Sequence, residues 1–143
     1  MNNSDLLERI DANIEYIYVN FEKIMDSGDL ITKMMNRLSM YAISLWTLIA
    51  ESHYESQFAY INRKMKETKT FLSKKASKIE DKAITDKLAE MIAKNESVEE
   101  IMLEIEKQSE YLSLDLKLKW INQLIYSLGK RVDYLRSEKD NSK

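Results

Sequence analysis

The residues best placed to do chemistry in this chain are cations. Arg63, Lys64, Lys66, Lys69, Lys74, Lys75, Lys78 and Lys82 crowd one short stretch against Glu67, Glu80 and Asp81, which leaves a local charge of +5. Tyr60 and Phe71 stand among them. Cations that track phosphates, with rings on which unpaired bases can stack, are what sequence-tolerant single-strand binders use. The same lysines would also suit a solvated helix face that pairs with acidic residues within the chain or across an oligomer. The sequence leaves both readings open.

Other chemistries find less support. His53 is the single histidine and stands between Glu51 and Glu55. A helical metal site needs a second ligand three or four positions away, and His53 has none, so a polar or half-buried role is expected. Glu96, Glu99, Glu100, Glu104 and Glu106 resemble the glutamate-rich helices of all-α nucleotide pyrophosphatases, whose facing carboxylates hold magnesium. The spacing differs, and no Glu-x-x-Asp follows. There is no glycine-rich phosphate loop, no G-x-S-x-G elbow, no histidine-based triad and no cysteine. The reading is therefore non-enzymatic, with no catalytic, cofactor or metal residues. Trp46 and Trp120 fall among apolar helical residues and read as core or interface anchors.

The elements that must carry these residues are helices. The 143 residues contain no proline and only Gly28 and Gly129, so the residues that punctuate hairpins and tight loops are nearly missing. An apolar share of 44% beside 32% charged residues fits a charge-rich helical bundle or coiled coil. The length suits a single domain. No apolar run approaches the roughly 20 residues of a membrane span, and the polar start MNNSDLLERIDANIE resembles no targeting signal. A cytoplasmic location is expected, in the host cytoplasm if the source is viral.

Periodicity divides that domain. Residues 1–27 hold an acidic helix, Ser4 to Met25, capped by Asn3 or Ser4, with Ile10, Ile14, Ile17, Phe21 and Ile24 on one face. Gly28 closes it in the left-handed conformation and Asp29 caps the next helix. Residues 29–72 form one very long helix, or two with a soft junction at Glu51 to Ser56. Its apolar stripe runs through Leu38, Tyr41, Leu45 and Leu48 and resumes at Phe58, Ile61 and Met65. Residues 73–96 form a basic connection and a short helix capped by Thr85. Ser97 and Glu100 read as a capping box opening a last helix over 97–138, ahead of a tail at 139–143. Leu114, Leu118, Ile121, Ile125, Leu128, Val132 and Leu135 alternate steps of four and three along it, a seam suited to coiled-coil packing. Gly129 interrupts the seam, either for close helix approach or as a tolerated surface residue.

A helix this long seldom buries its seam within one short chain, so self-association through Leu114 to Leu135 is expected. The predicted fold is an all-α, elongated helical hairpin or bundle with coiled-coil-like helices, oligomeric. Charge along it is segregated: residues 1–29 carry −5, residues 96–110 carry −5 and residues 111–143 carry +3, within a formal net charge of −2.

The long helical stretch ending in FAYINRKMKETKTFLSKK, a break, and a final helix reading YLSLDLKLKWINQLIYSLGKRVDYLR resemble the small phage recombination mediators of UvsY type. The likeness covers about residues 30–136 and is one of layout. It implies an oligomer that binds single-stranded DNA and helps a strand-exchange recombinase displace single-strand binding protein. In that case Arg63, Lys64, Lys66, Lys69, Lys74 and Lys75 would contact phosphates, while Tyr60 and Phe71 would stack on bases; Lys78 extends the same basic block. The acidic first helix and the glutamates at 96–110 depart from this picture and suit a protein partner better. The sequence thus predicts a helical homo-oligomer binding single-stranded DNA in phage recombination or replication. Its alternative is a protein-only adaptor, assembly factor or host-protein inhibitor.

Overall fold

A computed structural model describes residues 3–79 and 82–141, the side chains of 78, 79, 82 and 141 excepted. The chain is all-α. Its helices are α1 (Asn3–Val19), α2 (Phe21–Met25), α3 (Gly28–Ala76), α4 (Asp86–Glu96) and α5 (Val98–Asn141). Two-residue strands β1 (Lys78–Ile79) and β2 (Lys82–Ala83) pair antiparallel between α3 and α4.

Contacts divide the chain into two compact units, Met1–Ile49 with Leu114–Lys143, and Ala50–Ser113. The first unit has an apolar core. Ile10, Ile14 and Ile17 of α1, Ile24 of α2, Ile31, Leu38 and Leu45 of α3, and Leu118, Ile121 and Leu128 of α5 are all buried in it. Polar ties fix the edges of this core. Asn13 Nδ2 donates to the Tyr41 hydroxyl at 2.9 Å and Arg37 donates to Asn13 Oδ1 at 2.9 Å. Lys117 pairs with Asp11, and Arg131 donates to the Met25 carbonyl at 2.8 Å.

The second unit is built differently. The buried positions of α3 here are Ser52, Ser56 and Ala59, and those around α4 are Ile84, Ala89, Ala93 and Ser97. Small residues let backbones approach closely, but they bury little apolar surface.

Several local expectations are corrected. The first helix is not continuous: it breaks at Asn20, whose side-chain amide donates back to the Tyr16 carbonyl at 2.9 Å. Residue Phe21 is exposed rather than on the core face. Gly28 does not close a helix in the left-handed region but opens α3, and Ser27 Oγ, not Asp29, accepts the Leu30 N–H at 3.4 Å. Helix α3 passes Glu51 to Ser56 without interruption and runs on to Ala76. Thr85 does cap α4, accepting the Leu88 N–H at 3.3 Å. The Ser97 capping box does not form. Ser97 Oγ is buried with no hydrogen-bond partner among the described residues, the Ser97 N–H donates to the Lys94 carbonyl at 3.2 Å, and the Glu100 carboxylate turns to Lys66. A Cβ at Gly129 would meet the flexible end of Met35 at 3.5 Å, an ordinary contact, so close approach does not require this glycine.

Candidate interaction surfaces

Helix α3 carries one geometric seam with three chemistries. Ile31, Met34, Leu38, Ala42, Leu45 and Ile49 are buried, and the same steps of three and four continue through Ser52, Ser56 and Ala59 to Arg63, Lys66 and Thr70. The seam of α5 behaves likewise. Going back from Leu118 and Leu114, it passes Tyr111 and Lys107 to Glu104, Glu100 and Ser97, all buried or half-buried. In the second unit α3 and α5 therefore meet through ions where the first unit uses isoleucine and leucine.

The partners are specific. Arg63 donates to Glu104 and, through Nη1, to Glu67 at 2.8 Å. Lys66 Nζ reaches both oxygens of Glu100 at 2.7 and 2.8 Å. Lys74 pairs with Glu96 at 2.9 Å, Lys75 with Asp86, and Lys107 with Glu55 at 3.0 Å. The His53 ring rests on Tyr111 with centroids 4.9 Å apart. Electrostatics follow the geometry. The hydrogen bonds it donates to Glu104 and Glu67 raise the Arg63 guanidinium above its already high value. Burial opposes charge on Glu67, but the hydrogen bond and charge of Arg63, helped by Lys64, hold its carboxyl below the usual range. Lys66 holds Glu100 down through its hydrogen bond, and Glu55 and Glu110 raise Lys107.

The nine residues expected to contact nucleic acid thus have different fates. Arg63, Lys66, Lys74 and Lys75 take carboxylate partners from the acidic stretch or from α4, and Lys64 lies 3.5 Å from Glu67. Lys69 is exposed with no ion-pair partner among the described residues. Tyr60 is 43% exposed, with Arg63 and Lys64 at 5.4 and 5.9 Å from its ring centre. Phe71 is half-buried and lines a hollow of about 200 Å³ with Thr68, Glu90, Ala93 and Lys94. The side chain of Lys78 lies outside the described residues.

The expected oligomer seam is covered from inside the chain. Leu118, Ile121 and Leu128 are buried, and Leu114, Ile125, Val132 and Leu135 are half-buried. The apolar surface left open is elsewhere. Tyr54, Phe58, Ile61, Met65 and Leu72 are 71, 54, 49, 66 and 61% exposed. They stand two positions on from the inward residues Ser52, Ser56, Ala59, Arg63 and Thr70. At 3.6 residues per turn that is about 200° round the helix, the far side from α5. Val98, Met102, Ile105 and Leu112 form a matching row on α5, at 49, 62, 56 and 53%. Phe58, Ile61 and Met65 resemble a continuation of the Leu38 and Leu45 stripe, yet lie on the opposite face. The signal that separates them is the small-residue run Ser52, Ser56, Ala59, which keeps the buried register. Trp46 and Trp120, 63 and 53% exposed, stand outside the core.

No family model, curated protein or solved structure matches the chain. Among the described residues no group of acidic or histidine side chains is placed to hold a metal, and no helix is long and apolar enough to cross a membrane.

Proposed function

We propose that this chain is a non-catalytic adaptor that binds other protein helices through the outward apolar rows of α3 and α5 in the 50–113 unit. The observation that carries the reading is the row Tyr54, Phe58, Ile61, Met65 and Leu72, apolar at helical spacing and roughly half or more exposed along its length. Contiguous apolar surface of this kind marks interaction sites, and an apolar stripe with steps of three and four is how helices seat against helices. The cations that would compete for the role are mostly engaged by carboxylates of the same unit.

One observation favours a second reading. Tyr60, Lys64 and Lys69, the last with no ion-pair partner among the described residues, form an exposed aromatic and basic spot on α3. Exposed ion pairs such as Lys74 with Glu96 are worth little, so phosphates could displace the carboxylates. In that reading the chain binds single-stranded DNA and acts beside a recombinase or single-strand binding protein in phage recombination. Capture from extracts of the native source with the intact chain and with Phe58→Glu/Met65→Glu tests the first reading. Proteins retained by the intact chain and lost by the variant are expected. Oligonucleotide binding that falls steeply with salt and disappears on neutralising Lys64, Lys66, Lys74 and Lys75, with capture unaffected by the row variant, would replace it with the second.

A further inference from the structure

Resting on the reading of the two rows as docking faces, we infer that the outward row of α3 receives the outward α5 row of a second copy of this chain, packed antiparallel. The rows match in period and in length. Set antiparallel, Phe58 falls opposite Leu112, Ile61 opposite Ser109, Met65 opposite Ile105, Thr68 opposite Met102 and Leu72 opposite Val98. Ser109 sits against Ile61 and Thr68 against Met102, so large side chains meet small ones in the layers on either side of Met65 and Ile105, which leaves room for that large pair to interdigitate.

Charge favours this pairing over α3–α3 pairing and over antiparallel α5–α5 pairing. Lys69 borders the α3 row, and Glu99 and Glu106 border the α5 row; all three are exposed and have no ion-pair partner among the described residues. In the mixed alignment Lys69 comes beside Glu99 of the second copy, and Asn62 beside Glu106. An antiparallel α3–α3 pair would put Lys64 against Lys64, and a parallel one Lys64 against Lys69. An antiparallel α5–α5 pair would put Glu106 against Glu106. Like charges at these flanking positions oppose association.

The contact joins two different surfaces, so each bound copy still offers one free α3 row or one free α5 row. Such contacts close into rings or propagate. The mass in solution should therefore rise with concentration above the 16.9 kDa of one chain.

Two blocked variants test this. Phe58→Glu/Met65→Glu closes the α3 row and Met102→Glu/Ile105→Glu closes the α5 row. Because all four side chains are more than half exposed, the fold should persist, which far-UV circular dichroism and melting check. By light scattering each variant alone should stay at the mass of one chain, while their equimolar mixture should reach twice that mass and stop. Lys69→Glu should weaken association of the otherwise intact chain roughly two- to fivefold, the size of an exposed ion pair, and adding Glu99→Lys in the same chain should restore it. Association of the α5-blocked variant with itself would mean α3–α3 pairing and overturn the inference. A wild-type chain that stays monomeric at every concentration would also overturn it, while leaving open that a different protein occupies the rows.

Discussion

Lys66 Nζ bridges both carboxylate oxygens of Glu100, at 2.7 and 2.8 Å, from the position on α3 that continues the seam of Leu38 and Leu45. One helix thus holds its neighbour with apolar side chains along one part of its length and with ions along another. The two kinds of contact respond differently to substitution, to pH and to position.

Arg63 and Lys66 should not be equivalent. The side chains of Arg63, Glu67 and Glu104 are only 16, 14 and 20% exposed, so Arg63→Ala leaves two largely shielded carboxylates without their closest cation, Glu67 keeping only Lys64 at 3.5 Å. A cost of about 1–3 kcal/mol is expected for that, as for other buried groups deprived of a charged hydrogen bond. The Lys66 side chain is 39% exposed, and Lys66→Ala should cost under about 1 kcal/mol. Urea unfolding of the two variants, read as a difference in midpoint, checks the order. Equal losses would mean that the Arg63 cluster is solvated like an ordinary surface pair.

The ionic seam should weaken in acid. Glu67 and Glu100 both titrate below their ordinary value of 4.5 in the folded chain. A depressed carboxyl stabilises the fold above the unfolded value, and that contribution is lost as pH falls through the folded one. The melting temperature should therefore decline as pH drops below about 4.5, through protonation of groups in the 50–113 unit. In Glu100→Gln the decline should be shallower, since one of the two titrating carboxylates is gone. An unchanged slope would remove Glu100 from the account.

How far such features could be read in advance depends on whether they are local. Isoleucine at steps of three and four, the near absence of breakers and the Thr85 cap are visible in neighbouring residues, and they led correctly to an all-α chain with long helices and a capped α4. The destination of the Lys66 and Glu100 side chains is a matter of which two helices meet and in what register. The pattern Ser97-x-x-Glu100 satisfies the local rule for a capping box, yet Lys66 of another helix takes the glutamate and the Lys94 carbonyl takes the Ser97 N–H. The row of Phe58, Ile61 and Met65 is legible as a stripe but not as an outward one, since apolar spacing is the same on a buried face and on a docking face.

Thr85, which caps α4, and Ser97, whose hydroxyl caps nothing among the described residues, therefore make opposite predictions. Thr85→Ala removes a side-chain acceptor from the Leu88 N–H and should destabilise by about 1 kcal/mol. Ser97→Ala removes a buried hydroxyl that has no hydrogen-bond partner among the described residues, and deleting an unsatisfied polar group is neutral or mildly stabilising. Thermal or urea unfolding of both variants decides it. If Ser97→Ala costs as much as Thr85→Ala, the serine hydroxyl caps α5 in solution after all.

The sharpest contrast is expected between Ile121 and Met65. Ile121 is fully buried in the seam of α5, whereas Met65 is 66% exposed in the outward row of α3. Ile121→Ala should cost about 2–5 kcal/mol through lost burial and the cavity left behind. Met65→Ala leaves no internal cavity and should change the stability of the isolated chain by less than about 0.5 kcal/mol. If the outward row is a docking face, the same methionine substitution should weaken association with whatever occupies it, because the side chain is then buried only in the complex. Denaturation at low protein concentration, paired with light scattering at high concentration, separates the two effects. A methionine variant that unfolded as readily as the isoleucine variant would place Met65 inside the fold and leave α3 without an outward row.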